Sequence, residues 1–161
     1  MKEKRFPRLN LPQAELRLSV EDGKLKVLDP LRRKYVALTP EEYVRQNFVA
    51  YLQQSLHYPA ALMQNEVSLN LNGLARRCDT LVSDRAGRPW LVVEYKAPEV
   101  TVTQDVFDQI ACYNLVLGAR YLAVSNGMRH YCCKLSPETG DYQFIPSIPD
   151  WNEAHYGGSP N

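Results

Sequence analysis

Asp79, Glu94 and Lys96 are two carboxylates and a lysine whose order and spacing suit chemistry on a phosphodiester. Glu94 and Lys96 end the apolar run Trp90-Leu91-Val92-Val93. On a strand they fall on one face, and Val93 and Tyr95 fall on the other. An acid and a lysine sharing a face after an apolar run are poorly suited to core packing. Hard carboxylate oxygens brought together bind Mg²⁺, which takes oxygen ligands and keeps several waters. Asp79 and Glu94 are the candidate metal ligands, with the backbone carbonyl of Tyr95 as a third oxygen and Mn²⁺ as a substitute ion. Phosphodiester cleavage needs an in-line nucleophile and neutralisation of charge on the phosphoryl oxygens. A divalent cation with a water serves the first need, and the cation with Lys96 serves the second. Lys96 reads as an electrostatic stabiliser and water-orienting group, not as a free general base. The plain alternative is a surface cluster at strand ends, with Glu94 and Lys96 an ordinary ion pair.

The elements that must position these residues follow from local patterns. Thr80-Leu81-Val82 and Trp90–Val93 flank a turn-forming string with Gly87 and Pro89, which predicts two strands and a turn. Asn65–Leu71 alternates, and Asn72-Gly73 is a hairpin signal. Residues 65–96 therefore form three consecutive antiparallel strands. Upstream, Thr39-Pro40-Glu41-Glu42 starts a helix: Thr39 caps, Pro40 fits the first position, and Glu42 completes a capping box. Val44, Phe48, Tyr51, Leu52 and Leu56 form its apolar stripe. Downstream, a second helix spans about Thr103 to Leu117 with Gly118 as its stop, and Tyr121–Ser125 reads as a buried strand. Strand, helix and strand make a βαβ unit, which implies a parallel pair. A last hairpin covers Met128–Leu135 and Tyr142–Ile145.

Outside this core the N-terminus reads as an extended basic arm over residues 1–13, then a hairpin around Asp22-Gly23. The expected division is 1–38 for arm and hairpin extension, 39–150 for the central domain, and 151–161 for a flexible tail. Arg76 and Arg77 flank Asp79 and are candidates for phosphate contact, with a solvated role as the alternative.

The chain has 161 residues, enough for one domain with one core. Its formal net charge of +1 argues against a strongly basic nucleic-acid coat but leaves room for a local basic groove. No apolar run approaches the roughly 18–20 residues of a membrane span, and the first residues lack the apolar core of a signal peptide. A cytoplasmic location with no membrane partner is expected. Cys78, Cys112, Cys132 and Cys133 lack C-x-x-C spacing, so free thiols rather than a zinc site are expected.

Asp79…Glu94-Tyr95-Lys96 resembles the PD-(D/E)XK nuclease signature. The wider pattern is similar to the N-terminal nuclease domain of type I restriction enzyme R subunits and their small stand-alone relatives. It is carried by Pro40-Glu41-Glu42-x-Val44-Arg45-Gln46, Arg77-x-Asp79-x-x-Val82, Val93-Glu94-x-Lys96-Ala97-Pro98, Gln109-x-x-x-Tyr113-Asn114 and Tyr121 to Gly127. The resemblance implies an α/β, restriction-endonuclease-like fold with a mixed β-sheet flanked by helices. It implies that Asp79 and Glu94 bind metal, Lys96 is catalytic, and Glu42 assists through water. It also implies that Gln109 and Tyr113, four apart on one helical face, lie beside the site near Lys96 or DNA. Cys78 departs from the proline of the pattern. No Gly-x-x-x-x-Gly-Lys-Ser/Thr motor loop is present, so a separately encoded motor or restriction-system subunit is an expected partner beside DNA. The oligomeric state stays open, a homodimer included. The implied activity is Mg²⁺-dependent hydrolysis of DNA phosphodiester bonds. The alternative is a nuclease-fold module that binds nucleic acid or a partner protein without cutting.

Overall fold

The computed structural model describes residues 6–156. Three short strands, β1 (Leu18–Glu21), β2 (Lys24–Asp29) and β3 (Lys34–Ala37), form an antiparallel sheet in the order β1-β2-β3. Helix α1 (Pro40–Gln54) follows. A six-stranded sheet then runs in chain order through β4 (Met63–Leu71), β5 (Leu74–Ser83), β6 (Pro89–Tyr95), β7 (Tyr121–Ser125), β8 (His130–Leu135) and β9 (Tyr142–Ile145). Helix α2 (Gln104–Leu117) connects β6 to β7, and the short α3 (Trp151–His155) closes the chain. The β6–β7 pair is parallel and every other pair in the sheet is antiparallel. This is the mixed sheet that the strand order and the βαβ unit predict.

Local chemistry sets the element ends. Thr39 Oγ1 accepts from the Glu42 N–H at 3.0 Å, which satisfies one of the orphan donors of the first turn. The reciprocal half of the expected capping box is not made, because the Glu42 carboxylate is engaged by arginines. At the β4–β5 hairpin Asn72 and Gly73 both take positive φ, 53° and 83°, as the tight turn requires.

The large sheet separates two apolar cores. One holds Val44, Phe48 and Leu52 of α1 with Val82, Leu91, Val93, Tyr95 and Ala123. The other holds Phe107 and Ile110 of α2 with Leu81, Val92, Leu122 and Val124. With both faces covered, β7 is buried at every position, which explains its uninterrupted apolar run.

Three features differ from expectation. The expected hairpin around Asp22-Gly23 forms as β1 and β2, and Lys34–Ala37 adds a third strand by pairing with β2. The described part of the N-terminal arm is docked: Leu9 is buried, the Asn10 N–H donates to the Gly127 carbonyl at 2.8 Å, and Phe6 stacks on Tyr43. Residues 1–5 of that arm lie outside the described residues. The expected loose tail begins instead with α3, where Trp151 is only 2% exposed and packs against Tyr58 and Trp90. Asp150 caps it by accepting from the Asn152 and Glu153 N–H groups. Residues 157–161 of the tail lie outside the described residues.

Gly127 fixes the docking of the N-terminal segment. Its φ is +84°, and a Cβ there would sit 2.6 Å from Leu9 Cδ2 and 3.2 Å from Val44 Cγ2. Gly127→Ala is expected to cost about 1–2 kcal/mol, the scale of a left-handed conformation for a residue with a Cβ. The loss should register as a lower urea midpoint with unchanged slope.

Candidate active site

The β5–β6 ladder stops at Thr80 opposite Val93. Beyond that pair the Asp79 side chain takes over: its Oδ2 accepts from the Tyr95 N–H at 2.8 Å. On the other side, β6 stays in register with β7 through Tyr95 opposite Ser125, and the Lys96 N–H donates to the Ser125 carbonyl at 2.9 Å. The segment Glu94-Tyr95-Lys96 is thus held from both sides. Val92 lies in the α2-side core, whereas Val93 and Tyr95 lie in the α1-side core. Alternation therefore places Glu94 and Lys96 together on the α2 side, both half-buried. Among the described residues Lys96 makes no ion pair.

Asp79 sits where the alternation of its strand breaks. Asn65 and Thr80 are paired and face α1, where Tyr95 donates its hydroxyl to Thr80 Oγ1 at 2.9 Å and Thr80 donates to Asn65 Oδ1 at 2.7 Å. Two residues along, Val67 and Cys78 are again paired, yet both pack on the α2-side core. The change of face falls on Glu66 and Asp79. Glu66 absorbs it with a φ of +57°, uncommon for a residue with a Cβ. Burial pushes the Cys78 thiol up, and Glu94, Asp79 and Glu66 push it further. Three carboxylates therefore act electrostatically on one buried sulfur, which sits where the nuclease pattern has proline.

A polar network on the α1 side meets the same place. Arg45 donates to the Asp79 carbonyl at 2.9 Å through Nη1, to Glu42 at 2.9 and 3.0 Å, and to Glu66 Oε1 at 2.6 Å. Its guanidinium also lies 5.9 Å from the Tyr95 ring centroid. Glu42 further accepts from Arg32 and from Gln46 Nε2. Arg32 in turn pairs with Asp29, which accepts from Asn65 Nδ2 at 3.0 Å. The small sheet, α1 and β4 are thereby linked through buried charges. Burial pushes the Glu42 carboxyl up, but Arg45, Arg32 and Gln46 outweigh it and hold the pKa below the ordinary glutamate range. Asp29 is likewise low: burial acts upward, and Asn65, Arg32 and the Leu31 N–H more than offset it.

The structure therefore brings Asp79, Glu94, Tyr95 and Lys96 to one strand end. It connects Glu42 to Asp79 through Arg45, which bonds both. Gln109 lies exposed on α2, and among the described residues it has no hydrogen bond to this group. Tyr113 lies on the same helix, and its side chain falls outside the described part. Arg76 is exposed, and Arg77 is exposed with its Nε 3.3 Å from Glu66 Oε2. Arg45 and Glu66 complete this group, and neither carries a site role from sequence alone. The available signal was the Glu42-x-x-Arg45 spacing, which puts both on one helical face.

The donor chemistry fits a hard divalent cation. Two carboxylates and a strand-end carbonyl are oxygen donors, and Mg²⁺ commonly takes one or two carboxylates and keeps waters elsewhere. Asp79 Oδ2 is engaged by the Tyr95 amide, which leaves Oδ1 to a ligand. Among the described residues no group of three or more His, Cys, Asp or Glu is disposed to hold a metal.

A mixed sheet with helices on both faces, an acid within β5 where its ladder with β6 stops, and Glu-x-Lys at the end of β6, is a restriction-endonuclease-like architecture. A family model, type I restriction enzyme R protein N terminus (HSDR_N), matches residues 40–149, and the chain belongs to that family. Among solved structures it is similar to a fragment assigned as an HsdR subunit of a type I restriction enzyme from Vibrio vulnificus YJ016. That likeness has 21% sequence identity and a TM-score of 0.50, and covers 70% of this chain and 24% of the other. No curated protein matches the chain. No helix among the described residues is long and apolar enough to cross a membrane.

Proposed function

We propose that this domain hydrolyses DNA phosphodiester bonds in a Mg²⁺-dependent reaction, with Mn²⁺ as a working substitute. The observation that carries this reading is the strand end itself, where Asp79 holds the Tyr95 amide and so lies beside Glu94-x-Lys96. A divalent cation, when bound, supplies positive charge at the phosphoryl oxygens and acidifies an attacking water. Asp79, Glu94 and the Tyr95 carbonyl hold it. Lys96 donates to a phosphoryl oxygen and orients the water. Arg76 and Arg77 lie on β5 just before Asp79 and contact flanking phosphates, which sets register without reading sequence. Gln109 and Tyr113, both on α2, contact the DNA. In this reading the domain works in the cytoplasm with a motor or other restriction-system subunit.

The test is incubation of the pure protein with single-stranded, duplex and branched DNA in Mg²⁺, Mn²⁺ or EDTA. Cleavage is expected with either metal and none in EDTA, and Lys96→Ala is expected to lose about 10²–10³-fold, the scale of removing one preorganised electrostatic group. Cleavage that persists in Lys96→Ala would mean a contaminant or a wrong assignment. Tight, metal-independent binding without cutting would replace this reading by that of a non-cleaving nucleic-acid-binding module.

A further inference from the structure

We infer that Arg45 is a positioning residue for Asp79, and that Glu42 acts through Arg45 instead of reaching the reacting atoms itself. The part that concerns a bound cation rests on the proposed function, and the part that concerns Asp79 stands on geometry alone.

Pairing with β6 does not reach Asp79, and in the β4–β5 ladder the pairs Asn65–Thr80 and Val67–Cys78 flank it without a Glu66–Asp79 pair between them. The β5–β6 ladder has already stopped at Thr80 opposite Val93, and the alternation of both β4 and β5 breaks at Glu66 and Asp79. A carbonyl left without a ladder partner needs another donor. Arg45 supplies that donor. It is the side chain that joins the Asp79 carbonyl, the carboxylate of Glu66 opposite and the carboxylate of Glu42, and it lies against the Tyr95 ring. The guanidinium has a rigid planar fork, so these bonds set one orientation. Glu42 holds the fork from the helix side with two hydrogen bonds, from Nε and Nη2. Arg32 and Gln46 then hold Glu42. The Asp79 carboxylate is held in turn against the Tyr95 N–H. Such outer partners commonly tune metal affinity about 10–100-fold.

The Tyr95 amide reports on this chain of contacts with no metal present. Hydrogen exchange by NMR on Arg45→Lys is compared with Val49→Ala, a buried α1 substitution outside the hydrogen bonds of Arg45. Lysine keeps the charge and loses the fork. At matched global stability, Tyr95 protection is expected to fall at least about tenfold in Arg45→Lys and to stay near wild type in Val49→Ala. Mn²⁺ affinity, read by calorimetry without DNA, is expected to weaken about 10–100-fold in Arg45→Lys. If Arg45→Lys does not fold, Glu66→Gln loosens the same fork from the other side and is read in the same way. Unchanged Tyr95 protection in a folded fork variant overturns the inference. Wild-type protein that binds no Mn²⁺ sensitive to Asp79→Asn overturns the metal reading instead, and the amide measurement still decides the role of Arg45.

Discussion

Asp79→Asn is expected to lose cleavage by about 10³-fold or more while the protein stays folded. Asparagine keeps a side-chain oxygen that can accept from the Tyr95 N–H, the contact made by Asp79 Oδ2 at 2.8 Å. The strand end therefore keeps its shape. What is lost is a negative charge and a hard anionic ligand. Of the two carboxylates proposed to hold an ion, Asp79 and Glu94, removing one halves the negative charge. Removal of a single preorganised electrostatic group costs about 10²–10³-fold, and loss of a direct ligand belongs at or above the top of that range. The measurement is a single-turnover rate at saturating Mg²⁺, paired with thermal unfolding without metal. A variant that unfolds near wild type and cuts at the wild-type rate removes Asp79 from the mechanism. High Mn²⁺ is expected to recover part of the rate, since a neutral amide oxygen remains a weak ligand.

The sheet was legible because its signals are local. Asn72-Gly73 marked the β4–β5 turn, and the apolar run of Tyr121–Ser125 marked a strand covered on both faces. Thr39-Pro40 and Gly118 marked helix ends within a residue or two of those observed. The order of Asp79, Glu94 and Lys96 was legible for a similar reason: strand periodicity alone puts Glu94 and Lys96 on one face. The surroundings of Asp79 were not legible, because they come from residues far apart in the chain. Arg45 meets the Asp79 carbonyl across 34 positions, and Asp29 meets Asn65 across 36. Arginines on a helix read as solvated, and Glu66 carries no residue-type signal for positive φ. The N-terminal segment and α3 escaped for a third reason. Leu9 and Trp151 fill spaces that exist only once Gly127, Val44, Tyr58 and Trp90 are assembled.

Glu42→Gln is expected to destabilise the fold by about 2–4 kcal/mol at pH 7. Removing one partner of a buried ion pair costs about 3–5 kcal/mol, because the other charge is left uncompensated. The lower figure applies here because Arg45 keeps Glu66 and Arg32 keeps Asp29. The pH dependence identifies the cause. The Glu42 pKa in the fold lies below its ordinary value: burial acts upward, and Arg45, Arg32 and Gln46 outweigh it. The folded state therefore releases this proton more readily than the unfolded chain, so stability rises with pH across the interval between the two pKa values. The contribution is complete above the unfolded glutamate pKa of about 4.3 and is lost as pH falls through the depressed folded value. Asp29 is shifted in the same direction and is present in both proteins, so most of its contribution cancels in the comparison. Urea unfolding of wild type and Glu42→Gln at pH 7 and at pH 3 should show a gap that narrows at the lower pH. A gap that stays constant with pH would assign the loss to packing of the Glu42 side chain and not to its charge.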